Sequence, residues 1–305
     1  MRPQGAIALL SETYSKWSSA KGPRLGAALA YYAIFSIPPI MIIALGVLGF
    51  FYSGNVADRL QTQLGTLIGA DTAQTFLSAV QTSRQSGGLI AGLVGLGILF
   101  FGATGVFIEL QDGLNTIWGV KPKEEGIKGL IRGRFTSFTM VLGICFLLLV
   151  SLIVTALVAA LSERFVSMIP GGEALGHILE MTASFAVVTM LFAMIFKMLP
   201  DVEIRWRDVW IGAVVTSLLF TIGKLLIGMY LGKAAIGSAY GAAGSIVIMI
   251  TWVYYSAQIL YFGAEFTHVY ATRESSRVVP TENAKPLTSE ERVAQGIKNE
   301  QKPAA

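Results

Sequence analysis

The sequence predicts an all-α polytopic membrane protein: six transmembrane helices in one bundle, both termini cytoplasmic, with amphipathic helices in the interface. Three observations predict it. Only 14% of the residues are charged against 53% hydrophobic, and the mean hydropathy is +0.62, whereas soluble domains carry about 25% charged residues. Six runs are long and apolar enough to cross the hydrocarbon as helices, which takes about 20 residues each. The basic residues are also sorted: eighteen of the Lys and Arg fall on one side of this topology and four on the other, with Lys224 inside a span. That is the positive-inside pattern, and it accounts for a pI near 9.1 without a nucleic-acid partner.

Residues 1–24 form a cytoplasmic amphipathic segment. Ile7, Leu10, Tyr14 and Trp17 recur at helical spacing, as in a helix lying on a membrane surface. No short apolar core precedes a small-residue cleavage site, so a cleaved signal peptide is not expected. The membrane domain covers 25–271. Its first span, Leu25–Tyr52, contains SIPPI. Pro38 and Pro39 remove two backbone donors near its midpoint and predict a kink; a broken helix of the transporter kind is the second reading. The outer segment Ser53–Gly87 carries Val56, Leu60, Leu64 and Leu67, then Phe76, Leu77 and Val80, the pattern of two short amphipathic helices.

Span two, Gly88–Glu109, places Gly88, Gly95, Gly102 and Glu109 at seven-residue spacing on one packing stripe. Lys121–Arg134 is basic and amphipathic. Span three, Phe138–Leu161, holds the single cysteine, Cys145, so no disulfide framework is available. Span four is Gly176–Leu199. On span five, Asp208–Leu231, the residues Ser217, Thr221, Lys224 and Gly228 share a face. Span six, Gly244–Thr267, carries the line Gly244, Thr251, Gln258 and Glu265, flanked by Tyr254 and Tyr261. Seven residues are about two helical turns, so each line stacks along one side.

Spans five and six are joined through GSAYGAAGS. Gly237, Gly241 and Ser245 are spaced by four and Gly244 begins the polar line, which predicts a tight-packing hinge with Tyr240 as an interfacial anchor. A partly unwound segment lining an outward cavity is the alternative. The tail, 272–305, is polar, contains Pro280 and Pro286, and is expected to be disordered.

The candidate functional groups are the polar and charged residues within spans: Glu109, Lys197, Lys224, Gln258 and Glu265. Ionisable groups there are costly and usually face the bundle interior. Glu109, Lys197 and Glu265 lie near cytoplasmic ends, where opposite charges can pair. Lys224 can snorkel outward on its long stem. A substrate or proton role is the competing reading.

Other chemistry lacks its parts. Asp201, Glu203 and Asp208 lie in a short basic connection and read as a solvated turn. His177 and His268 have no partners at metal-ligand spacing, and no GxxxxGK[ST] phosphate loop is present. No catalytic residue, cofactor or metal is therefore assigned, and an enzyme is not expected.

ALAYYAIFSIPPIMII in span one, WRDVWIGAVVTSLLFTIGKLLIGMYL in span five and GSAYGAAGSIVIMITWVYYSAQILYFGAEF at span six resemble the YihY/BrkB family of bacterial inner-membrane proteins. The resemblance covers spans one to six. It implies a six-span inner-membrane protein without an established biochemical activity, in a family long labelled "ribonuclease BN" and linked by name to virulence factors. Tyr31, Tyr32, Lys224, Tyr240, Gln258 and Glu265 match its motif positions, and it supplies no accepted catalytic or binding residues. The Pro38–Pro39 pair stands where a single proline is expected, which implies a sharper kink.

Three functional readings follow. The first is a permease-like or lipid- and solute-handling protein with a cavity lined by spans one, five and six, its partners being membrane lipids. The second is a structural membrane protein that contacts its own copies or an envelope protein. The third, a ribonuclease, is disfavoured by the missing metal constellation.

Overall fold

A glycine followed four residues later by threonine occurs at Gly212–Thr216 and again at Gly263–Thr267, and two long helices cross where these pairs meet. The computed structural model describes residues 3–33, 105–123, 172–233, 244–273 and 279–295. They are mostly helical: α1 (Pro3–Ser19), α2 (22–33), α3 (105–118), α4 (Gly172–Met198), α5 (Trp206–Lys233), α6 (Gly244–Arg273) and α7 (Ser289–Ala294). Four short strands accompany them: β1 (Val120–Pro122), β2 (Val202–Glu203), β3 (Val279–Pro280) and β4 (Ala284–Pro286).

Among the described residues three helices are long and apolar enough to cross a membrane, over Met181–Met198, Trp206–Tyr230 and Val247–Arg273. They coincide with predicted spans four, five and six. Helix α6 continues past the expected end at Thr267 because Val269, Tyr270 and Ala271 are still buried. Span three, the outer segment 53–87, the basic stretch 124–134, and Pro38, Pro39, Gly237, Tyr240 and Gly241 lie outside the described residues. Gly244 and Ser245 are helical, at the start of α6.

The chain divides into two compact units. One takes in Met1–Leu25, Leu110–Gly223 and Gln258–Ala305; the other takes in Gly26–Glu109 and Lys224–Ala257. Within the first unit, α5 and α6 approach closely enough that a Cβ on Gly263 would collide with Thr216, and a Cβ on Gly212 with Thr267. Each threonine hydroxyl donates to the glycine carbonyl four residues back in its own helix, Thr216 to Gly212 at 2.7 Å and Thr267 to Gly263 at 2.7 Å. The polar atom is thus satisfied internally, and the rest of the side chain fills the notch opposite. Small residues at such a crossing let helices gain dispersion contact where lipid offers no hydrophobic drive.

Helices α1 and α3 also pack on α6, and α4 packs on α5. Leu9 of α1 enters a buried cluster with Phe266, Val269 and Tyr270, joined by Ile211 and Val215 of α5. Trp17 stands edge-on to Phe262, with centroids 6.2 Å apart. The same indole lies against Gly22, where a side chain would collide with it, and Lys21 turns the chain there with φ 57°. Arg273, in the last turn of α6, reaches back to Glu12 and to the Ala8 carbonyl. The ring of Tyr261 fills the space over Gly113 of α3. Phe192 of α4 meets Phe220 of α5 edge-on at 5.7 Å.

Within the tail, residues 279–295 depart from the expectation of disorder and are ordered by pairing with distant segments. Strand β3 runs antiparallel to β2, with Val202 opposite Pro280 and Glu203 opposite Val279. Strand β4 runs antiparallel to β1, with Val120 opposite Pro286 and Pro122 opposite Ala284. Helix α7 starts on a capping box in which Thr288 and Glu291 satisfy each other's backbone N–H.

The crossing predicts a sharp contrast between glycines. Gly212→Val and Gly263→Val each overpack it and should cost about 1–3 kcal/mol or more, read as a lower midpoint in thermal unfolding of the detergent-solubilised protein. Gly228→Ala, where nothing lies within 4 Å of the added carbon, should leave the midpoint nearly unchanged.

Candidate functional site

Of the sequence-predicted polar residues, Lys197, Gln258 and Glu265 belong to the first unit, and Glu109 and Lys224 to the second. Glu265 is 2% exposed, and its carboxylate lies 3.2 Å from His268 Nδ1, one turn along α6. The His268 ring packs on Trp118 with centroids 4.9 Å apart, and the Trp118 indole nitrogen is buried without a hydrogen-bond partner among the described residues. Two turns back, the Gln258 amide nitrogen approaches the Pro23 carbonyl at 3.5 Å, while its carbonyl oxygen is buried with no partner among the described residues. On α5 the hydroxyl of Ser217 is likewise buried and unmet.

Lys197 makes its described contacts in the α4–α5 turn. Lys197 donates to the Ile204 carbonyl at 2.6 Å and stands 5.6 Å from the centre of the Trp206 ring. A carbonyl left over in the tight α4–α5 turn competes for the ammonium, and the adjacent aromatic face adds a cation–π contact. Lys224 is exposed on α5, past the point where the stripe from Ser217 through Thr221 leaves the buried core. Glu109 is half-buried on α3.

The reading of Asp201, Glu203 and Asp208 as a solvated turn is corrected at Asp201 and Asp208, while Glu203 is exposed as expected. Asp208 is buried in the first turn of α5, where the helix dipole favours a carboxylate. Asp201 joins three parts of the chain. Its Oδ2 accepts from Asn115 Nδ2 at 2.8 Å and its Oδ1 from Gln111 Nε2 at 3.3 Å, while its own N–H donates to Asn115 Oδ1 at 2.8 Å. Its carbonyl accepts from the Thr281 N–H at 3.0 Å. Helix α3, the α4–α5 turn and the tail therefore share one residue.

Around this joint the tail makes a second set of bonds. Gly119 ends α3 with φ 65°, a conformation glycine adopts without strain. Its carbonyl accepts from Leu287 N–H at 2.8 Å, and the Arg292 guanidinium lies over it. Lys121 Nζ donates to Glu291 Oε1 at 2.5 Å. That bond, together with the Thr288 backbone N–H, holds the Glu291 carboxyl below the usual glutamate range. The pair is therefore intact above ordinary glutamate pKa values and is lost as pH falls through the lowered one.

Sequence reasoning missed Asn115, Trp118, His268 and the Gly–Thr pairs. The i, i+3 spacing of Glu265 and His268 and the repeated G-x-x-x-T were the available signals.

A family model described as "Virulence factor BrkB" matches residues 13–288. The chain belongs to the BrkB family. Its relatives include a UPF0761 membrane protein of Pseudomonas aeruginosa (strain LESB58), 26% identical over 253 residues that cover 80% of this chain and 58% of that protein. A UPF0761 membrane protein of Verminephrobacter eiseniae is 28% identical over 247 residues, covering 79% and 57%. Another, of Vibrio vulnificus (strain YJ016), is 25% identical over 287 residues, covering 92% and 88%. The chain thus spans 58% of the length of the Pseudomonas relative and most of the Vibrio one. No solved structure matches. This BrkB-family chain is accordingly a membrane protein whose helices α4, α5 and α6 are long and apolar enough to cross a bilayer.

The joint predicts a graded response. Asp201→Ala strands the buried amide of Asn115 and should cost about 1–3 kcal/mol, whereas Asp201→Asn keeps one acceptor and should cost less. Chemical denaturation in detergent, followed by Trp118 emission in a chain with its other tryptophans replaced, measures the difference.

Proposed function

We propose that this chain is a multi-pass protein of the bacterial inner membrane with both termini cytoplasmic, and that it handles lipids or small solutes in a permease-like manner. The path is lined by the first, fifth and sixth spans. The observation that carries this reading is the polar content of α5 and α6: Ser217 Oγ and Gln258 Oε1 are buried without a partner among the described residues, and Glu265 is buried two turns beyond Gln258. Unpaired polar groups inside a membrane protein are costly. Positions where the protein leaves them unmet are where water, a headgroup or a polar solute gains most by binding.

The orientation is supported by the sorted Lys and Arg and by the exposed side chains of α1 and α5. Ile7 and Tyr14 are 71% and 62% exposed on the side of α1 away from Leu9, and Trp206 and Trp210 are exposed at the start of α5. An exposed apolar helix face and exposed tryptophans at a helix start suit the membrane–water interface.

Reconstitution tests the reading. Vesicles containing the protein should move a fluorescent phospholipid or a polar solute faster than empty vesicles. Gln258→Leu and Glu265→Gln should each slow that movement about tenfold or more, equivalent to about 1.4 kcal/mol of barrier. Lys224→Ala, at an exposed position, should change it by less than about threefold, under half that barrier change on the same scale. Wild-type vesicles that move neither class of cargo would falsify the proposal.

A second reading, a structural protein contacting its own copies, is favoured by the open face of α5, where Gly228 sits among exposed Leu225, Leu226 and Met229. Cross-linking in native membranes that traps a dimer through this face would favour it. The non-enzymatic assignment is likewise part of our proposal. The Asp201 carboxylate is occupied by Asn115 and Gln111 rather than turned toward other acids, so the purified chain with magnesium or manganese is expected to leave RNA intact.

A further inference from the structure

We propose that residues 279–295 form a releasable strap, a charge-held latch that reinforces the Asp201–Asn115 joint between the end of α3 and the α4–α5 turn. The inference is independent of whether the protein transports anything. The tail pairs with the two segments that this joint connects. Strand β4 pairs with β1, directly after α3, and β3 pairs with β2, directly after Asp201. Three main-chain bonds complete the hold, from Thr281 N–H to the Asp201 carbonyl at 3.0 Å, from Leu287 N–H to the Gly119 carbonyl at 2.8 Å and from Lys123 N–H to the Asn283 carbonyl at 2.8 Å.

The anchorage is broad but shallow. Strand β3 pairs through two residues and β4 through three. Helix α7 buries none of its side chains, and Ala284 is the buried apolar residue that the tail contributes. With so little apolar area, hydrophobic burial contributes little to the hold. The charge-assisted Lys121–Glu291 bond is the part of the hold that salt and charge can change, and each partner is about a third exposed or less, at 26% and 35%. An ion pair in that position is weakened by salt. By contrast, the α5–α6 crossing is fully buried and rests on shape, so it is insensitive to the same change.

A cysteine pair reads the latch in the full chain. In a Cys145→Ser background, Glu203→Cys and Val279→Cys place thiols at facing positions of β2 and β3. Oxidative cross-linking should be fast at low salt, slow at least threefold with Lys121→Glu or at high salt, and recover in part with the swap Lys121→Glu/Glu291→Lys, which restores the ion pair but not the capping bond of Glu291 to the Thr288 N–H. Hydrogen exchange should rise in parallel at Thr281, Leu287 and Lys123 while remaining protected at Gly212–Thr216. If cross-linking is indifferent to salt and to the charge variants, the strap is not charge-held. If exchange at the crossing rises in step with exchange in the tail, the tail is a permanent part of the core. Either result overturns the proposal. The salt series on the otherwise unaltered cysteine pair keeps the test valid should a charge variant fail to fold.

Discussion

Two helices that cross in a bilayer cannot rely on water to push them together, and the contact between α5 and α6 shows what replaces that push. Gly212 and Gly263 omit the side chains that would hold the backbones apart, and Thr216 and Thr267 fill the notches so made. The arrangement works because each threonine meets its own hydrogen-bonding need within its own helix. A serine would leave the notch partly empty, and a valine would fill it but relinquish the local bond. Leu9, Trp17 and Tyr261 are all positioned with reference to this pair of helices.

The polar residues divide into two kinds once this frame is known. Thr216, Thr267, Asp201 and Asn115 have their bonds completed inside the protein, so they hold the fold. Ser217 and Gln258 have buried oxygens left over. Ser217 is adjacent in sequence to Thr216, yet it has turned by about a quarter of a helical revolution away from the crossing. Neighbouring residues therefore serve different ends, and the distinction rests on which atoms remain unsatisfied.

Hydropathy was sufficient to show the helices that carry the membrane character, because α4, α5 and α6 are long uninterrupted apolar runs. The polar line through Gln258 and Glu265 was likewise visible from spacing alone. The tail was not legible. Its composition is that of a disordered segment, and what orders it is main-chain pairing with residues far away in sequence, which leaves no compositional trace. Pro280 and Pro286 looked like evidence against structure, but proline is tolerated in short edge strands. Asp201 was misread for a related reason: an acid among basic residues resembles a solvated turn until the two amides of Asn115 and Gln111 are brought to it from another helix.

The closing bonds of the tail also set an order of events during biogenesis. Lys121 and Glu291 are 170 residues apart, and Glu12 and Arg273 are 261 apart. Neither contact can form until α6 has left the ribosome, and contacts of such long range are the slow ones in folding. At synthesis rates of about 5–20 residues per second, α1 waits many seconds for the helix it docks on. Throughout that interval its apolar residues need another shelter, and the bilayer surface is the one at hand. The nascent chain thus has reason to remain at the membrane before its first helix has found its place in the fold.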